Sequence, residues 1–323
     1  MLASRAKIIY NIGLIKYFQS VALNFRILPL LLLLISGWMA VGVSTSQSAT
    51  ISWWRFEAGS DTDPSPGGLV NANEVSGQPA MISSNAIITT DAPSLFAPFI
   101  PQTGDTNTGS VRAFVNGSAE DGIFGSAAYS STLDVNSITV EFWVRTTENE
   151  AGFVARTTNP QQAGETGSID NGFRIVEPQN LRVEYYRLNG AGTGGTLVTL
   201  TSGIAVNDNV WHYIAFRYDQ ATGLGELLLD GVVVASNDGP DNRRLWWGPS
   251  GSQPTVIAGY RLDGNPNNTF GTLDEIRFSD VALPNTELLL VPEASTVWTF
   301  GILGLLFAAG SFRRFFQRPA PQD

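Results

Sequence analysis

The chain has no cysteine, one histidine and two lysines among 323 residues. Without cysteine, an exported body has no disulfide framework, and thiol chemistry and cysteine-based zinc sites are excluded. A lone His212 excludes a multi-histidine metal centre. Both lysines, Lys7 and Lys16, lie near the N-terminus, so residues 50–292 carry 12 arginines against 27 carboxylates, a net charge of −15. Such a surface repels nucleic acid and anionic lipid as bulk partners. Amphipathic helices are missing as well: no stretch of ten residues in that body keeps apolar side chains at helical spacing. No unit of 20–50 residues recurs, which excludes solenoids and propellers.

What the body does have is short alternating stretches between Gly, Asn, Asp and Pro turns. In residues 137–145, Ile138, Val140, Phe142 and Val144 fall on one face and Thr139, Glu141, Trp143 and Arg145 on the other. That period of two is the mark of a half-buried strand. Residues 181–187, 211–218, 224–230, 255–259 and 271–278 read the same way. Residues 219–223 form a five-residue hairpin loop, and Asp230-Gly231 a tight turn. A short helix is expected over 284–290, with Pro284 in its first turn. Many short strands without helices point to a two-sheet sandwich or barrel of about 240 residues.

The two ends differ from this body. Residues 1–26 carry Arg5, Lys7, Lys16 and Arg26 and no acid, Ile27 to Val43 is apolar, and small or polar residues follow to Thr50. This is the layout of a secretory signal peptide or N-terminal anchor, over residues 1–49. At the other end Val291, Pro292, Glu293, Ala294, Ser295 and Thr296 precede an apolar run, Val297 to Phe312, closed by Arg313 and Arg314. Residues 297–312 are near the lower limit of about 17–25 residues for a membrane helix, and the arginines place the C-terminus on the cytoplasmic side. The whole tail, 291–323, resembles the bacterial PEP-CTERM sorting signal, departing from it at Ala294, where a second proline is usual. The resemblance implies an exosortase-type membrane protease as partner and a destination in the cell envelope, at the cell surface or in the extracellular matrix.

Four body segments occur in an order that resembles laminin-G-like, or concanavalin A-like, jelly rolls. They are Ser137-Ile-Thr-Val-Glu-Phe-Trp-Val-Arg145, Val210-Trp-His-Tyr-Ile-Ala-Phe-Arg-Tyr-Asp219, Gly225-Glu-Leu-Leu-Leu-Asp-Gly231 and Gly271-Thr-Leu-Asp-Glu-Ile-Arg-Phe278. Ser52-Trp-Trp-Arg-Phe-Glu57 fits the opening strand, with one tryptophan facing in and one out. The resemblance implies an all-β fold over residues 50–290, a two-sheet antiparallel jelly-roll sandwich, flanked by an N-terminal signal helix and a C-terminal transmembrane helix.

Several residues invite chemistry. Jelly-roll glucanases carry their carboxylates at alternate positions of one strand, which brings them to one face, about 5–10 Å apart. No such string occurs here: Glu148 and Glu150 sit beside a turn, and period two sends Asp274 and Glu275 to opposite faces. No catalytic residue is assigned, and His212 reads as structural. Asp263, Asn265 and Asn267 place oxygen donors at alternate positions of a loop, with Asp274 eleven residues after Asp263, a set suited to a hard cation such as Ca2+. The competing reading is an Asn/Gly-rich turn. Arg243, Arg244, Trp246 and Trp247 share a loop in which aromatic faces can stack on sugar C–H surfaces and guanidinium groups can bond hydroxyls or carboxylates. Its competing reading is a loop that buries its own aromatics beneath arginine. The polar stretch 156–170 reads as a surface insertion. The expectation is an exported, envelope-sorted, non-enzymatic protein binding extracellular polysaccharide or another surface component. The alternatives are a structural matrix protein and, less favoured, a polysaccharide hydrolase or lyase.

Overall fold

Period-two patterning becomes two eight-stranded antiparallel sheets in the computed structural model. It describes residues 50–57, 69–83, 86–93, 105–113, 123–149, 151–158, 171–177, 179–261 and 271–290. All of these fall within residues 48–323, one of two units into which the chain divides. The N-terminal signal segment, the C-terminal tail and Asp263, Asn265 and Asn267 lie outside the described residues. Among the described residues no helix is long and apolar enough to cross a membrane.

The first sheet holds β1 (Thr50–Trp54), β4 (Ala86–Thr89), β5 (Ser110–Ala113), β7 (Ile138–Arg145), β12 (His212–Tyr218), β13 (Leu224–Leu229), β14 (Val232–Asp238) and β16 (Thr272–Ser279). Its order is β14-β13-β12-β7-β16-β5-β4, and β1 also pairs with β16. The second holds β2 (Leu69–Asn71), β3 (Met81–Ser83), β6 (Ile123–Ala127), β8 (Ala151–Thr157), β9 (Phe173–Glu177), β10 (Arg182–Leu188), β11 (Gly195–Thr201) and β15 (Thr255–Arg261). It runs β11-β10-β9-β8-β15-β6-β3-β2.

Side chains from the inner faces fill the space between the sheets. Ile138, Val140, Phe142 and Val144 of β7 meet Phe153, Phe173 and Tyr185 from the second sheet, all fully buried. Burying each such side chain contributes about 1.5–3 kcal/mol, so the core stabilises the fold without disulfides. The outer face of the first sheet is also dry. Trp53, Trp143, Trp211, Tyr213 and Leu228 there are covered by Leu283, Leu288 and Leu289 from the segment after β16. Trp54, by contrast, faces the inner core, so the opening pair divides inward and outward as its alternation requires.

Three local expectations change. The helix expected over 284–290 is one 3-10 turn, Asn285–Glu287, preceded by an extended Pro284, because Leu288 is extended to bring Leu288 and Leu289 onto the outer cluster. The expected surface insertion begins later than residue 156. β8 runs through Thr157, and Arg156 is fully buried, 2.6 Å from Asp134 and with its guanidinium 4.2 Å from the Trp247 ring centroid. Residues 159–170 lie outside the described residues. Third, Asp274 and Glu275 share one side of the sheet. Leu273 and Ile276 both face the core, the pairing of β16 with β7 slips between Asp274 and Arg277, and Glu275 has a φ of 53°. A bulge adds one residue and cancels the alternation.

Candidate functional site

Residues 243–247 run antiparallel to the end of β10 in a short strand-like pairing. The Trp246 amide donates to the Tyr186 carbonyl at 2.9 Å, the Leu188 amide donates to the Arg244 carbonyl at 2.9 Å, and Arg187 and Leu245 form a bridge. The segment therefore alternates: Leu245 and Trp247 enter the core, while Trp246 stands on the outer side beside Tyr186. Trp247 is 5% exposed, its indole N–H donates to the Val135 carbonyl at 2.9 Å, and it packs edge-on against Phe173. A ring so enclosed has no face to offer a ligand, so the paired-tryptophan platform reduces to Trp246.

Trp246 is half-buried and packs against Tyr186, the ring centroids 5.8 Å apart and the planes tilted by 53°. Gly195 makes room for the pair, since a Cβ there would run into both rings. Leu197, opposite Tyr186 on β11, extends the surface and is 36% exposed. Arg244 is exposed, and Arg243 is half-buried with its carbonyl accepting from the Tyr218 hydroxyl. Farther along the same face of β10, Glu184 is held by Arg174 at 2.8 Å and Arg182 at 3.1 Å. Tyr186 and Arg182 were not singled out from the sequence, although alternation over 181–187 already placed them on one face.

Of the cation candidates, Asp274 is the one among the described residues. Asp274 is fully buried on β16, accepts from Asn107 Nδ2 at 2.8 Å, and accepts from the Glu275 amide at 2.9 Å. Glu275 accepts the Trp53 indole N–H at 2.6 Å and lies 3.6 Å from Arg55. Burial, then the neighbouring Glu275 charge, pushes Asp274 well above the usual carboxylate range. Burial likewise pushes Glu275 up to about 8, opposed by Arg55. Among the described residues the buried Asn107 Oδ1 accepts no hydrogen bond, and Glu275 Oε1 faces the Arg55 guanidinium at 3.6 Å; oxygen donors of this kind suit a hard cation. Among the described residues, however, no group of three or more acid or imidazole side chains is arranged to hold a metal ion.

His212 has closer acidic company than the sequence suggested. Its Nδ1 lies 2.9 Å from Asp230 and its Nε2 3.2 Å from Asp208, and the hydrogen bond to Asp230 raises its pKa. Asp230 also accepts the Tyr213 amide, so this aspartate ties the β13–β14 turn to β12. Asp230 and Gly231 have φ of 51° and 81°, the left-handed pair that such a tight hairpin requires. Nearby Glu177 is fully enclosed, accepts the Val206 amide at 2.9 Å, and is pushed by burial up to about 7.

A family model described as the concanavalin A-like lectin/glucanases superfamily matches residues 118–288. No curated protein sequence matches the chain. Among solved structures, the binding domain of Paraclostridial Mosquitocidal Protein 1 is similar at 14% identity and a TM-score of 0.48, over 74% of this chain and 50% of that one. The chain thus spans about half the length of that relative. Domain 4 of AbnA, an extracellular arabinanase from Geobacillus stearothermophilus in complex with arabinotriose, is similar at 11% identity and a TM-score of 0.43, over 76% and 99% of the two chains. CBM40 of the Ruminococcus gnavus IT-sialidase, bound to alpha2,3 sialyllactose, is similar at 14% identity and a TM-score of 0.37, over 52% and 92%. At these values the likenesses assign no ligand to this chain.

Proposed function

The chain belongs to the concanavalin A-like lectin/glucanases superfamily, and from that premise we propose that it is an exported, non-enzymatic protein that binds extracellular polysaccharide or another cell-surface component. The observation that carries the reading is the half-buried Trp246 packed at a tilt against Tyr186, with the exposed Arg244 two residues away on the same face. An aromatic plane with an accessible face packs against the C–H surface of a sugar ring, and a guanidinium beside it bonds hydroxyl or acid groups. The non-enzymatic reading is supported by where the raised carboxylates sit: Asp274, Glu275 and Glu177 are buried. A hydrolytic pair must reach the scissile bond from both sides.

Export and sorting belong to the same proposal. Residues 1–49 direct secretion, and residues 291–323 hold the protein at the membrane through 297–312 until an exosortase-type protease acts. Calcium is assigned to Asp274 together with Asp263, Asn265 and Asn267.

The test is retention of the full-length chain on immobilised polysaccharides, compared with Trp246→Ala and Tyr186→Ala. Loss of retention by either variant, with the unfolding temperature of the wild type, supports the reading. Retention unchanged removes the platform from consideration. No retention by the wild type on any polysaccharide moves the assignment to a structural matrix protein.

A further inference from the structure

Arginine is the only cation of the body, and most of it is neutralised. Seven arginines among the described residues are ion-paired with carboxylates, Arg174 and Arg182 among them. Arg243 and Arg244 are not: their guanidinium groups reach only the carbonyls of Asn189 and Leu245, each at 3.4 Å. In a body with 27 carboxylates, two adjacent arginines without an acid beside a half-buried aromatic pair are a local exception. The same face adds to it. Among the described outward side chains of β8 to β11, Glu184 is the one carboxylate, and it is shared by Arg174 and Arg182. The Arg182 side chain keeps 26% of its surface exposed.

We infer that this face binds an acidic polysaccharide, a uronic-acid polymer whose carboxylates meet Arg182 and Arg244 while a sugar ring lies on Trp246 and Tyr186. The inference rests on the binding function proposed above and adds the charge class of its ligand. Guanidinium matches carboxylate because its planar fork can donate two parallel hydrogen bonds, a geometry that neutral hydroxyls do not return. The net negative charge of the body does not prevent this. At physiological salt a charge is felt over about 8 Å, so the polymer responds chiefly to the groups it touches. Acids elsewhere on the described surface also orient the polymer, since the one described outward carboxylate of β8 to β11 is already paired with arginine.

The experiment is affinity electrophoresis of the full-length chain in native gels cast with polygalacturonate or alginate, each beside its carboxyl-reduced, neutral form. The expected result is binding at least about tenfold tighter to the acidic form of one pair, weakened about tenfold by Arg182→Gln with Arg244→Gln, and declining with added salt. Equal binding to acidic and neutral forms would overturn the acidic assignment and leave polysaccharide binding standing. Acid-selective binding undiminished by the double substitution would overturn the placement at this face. No binding to any of the four polymers would remove the acidic ligand, and retention on other, neutral polysaccharides then decides the underlying function separately.

Discussion

Asp274 and Glu275, consecutive on β16, turn their carboxyl groups to the same side of the first sheet. Asp274 lies opposite Trp143, and Glu275 accepts the indole N–H of Trp53; both tryptophans belong to the outer apolar cluster. In a regular strand one of the two acids would point into the sandwich core. The positive φ of Glu275 prevents that, at the cost of placing two like charges side by side in a poorly hydrated site. Arg55 and the Trp53 N–H offset part of the repulsion on Glu275, and Asn107 does the same for Asp274.

This arrangement sets the pH dependence of stability. Asp274, Glu275 and Glu177 all have folded-state pKa values raised above their ordinary range, Glu275 to about 8 and Glu177 to about 7, and His212 is raised as well. A raised folded-state pKa means the native state holds the proton more tightly than the unfolded chain. The resulting stabilisation is complete below the unfolded value and is lost as pH climbs through the folded one. Asp208 is lowered and has the opposite sign, but its stabilisation changes only in more acidic solution. The unfolding temperature should therefore fall steadily from about pH 5 to about pH 8.5 at fixed ionic strength. Circular dichroism melts across that range test it; a flat or rising profile refutes the account.

Calcium should act on the same pair. A divalent cation would displace the protons that burial holds on these carboxylates and offset their mutual repulsion while binding the native state alone. Millimolar calcium should raise the unfolding temperature by several degrees over chelator, increasingly so as pH rises, an increment that Asp274→Asn abolishes. The discriminating measurement is the melt of wild type and variant with and without metal. An identical increment in the variant would place any calcium elsewhere.

Gly195 is a packing determinant of the platform. A methyl group there meets the rings of Trp246 and Tyr186, so Gly195→Ala must push the two rings out of their present contact. The expected outcome is a loss of about 1–3 kcal/mol in urea unfolding, typical of an overpacked site, together with reduced polysaccharide retention. Thr196→Ala, at the exposed next position, should change neither. Retention of wild-type binding by Gly195→Ala would mean that the ring pair is not what the ligand reads.

The central strands were legible in the sequence because β7, β10, β12 and β13 are six to eight residues long and alternate over a buried face. β2 to β6 were not, since three to five residues carry too little periodicity, and β5 and β6 take partners, β16 and β15, far along the chain. The same limit hid the alternation of Leu245, Trp246 and Trp247. Their strand-like register comes from backbone hydrogen bonds to β10, and no local signal distinguishes it from a loop. The loop's residues pointed to sugar binding, but which indole faces out depended on that register. The shared side of Asp274 and Glu275 was equally hidden, because nothing in Leu-Asp-Glu-Ile announces a bulge at a non-glycine residue.

The clasp over the outer face of the first sheet yields a further prediction. Glu141, fully buried on β7, accepts from Arg277 Nε at 2.7 Å, from the Leu289 amide at 2.8 Å and from the Tyr213 hydroxyl. Arg277 in turn donates to the Glu287 carbonyl at 2.8 Å, so one ion pair fastens the segment that covers Trp143 and Tyr213. Arg277→Leu leaves Glu141 buried without its counter-charge and frees the Glu287 carbonyl. The expected cost is about 3–5 kcal/mol in urea unfolding, because an uncompensated buried charge is lost rather than a net-favourable bond. Replacing both partners, Glu141→Leu with Arg277→Leu, removes that charge and should be less destabilising than Arg277→Leu alone. A double variant as unstable as the sum of two large single losses would mean that geometry at the clasp, and not charge compensation, holds the segment down.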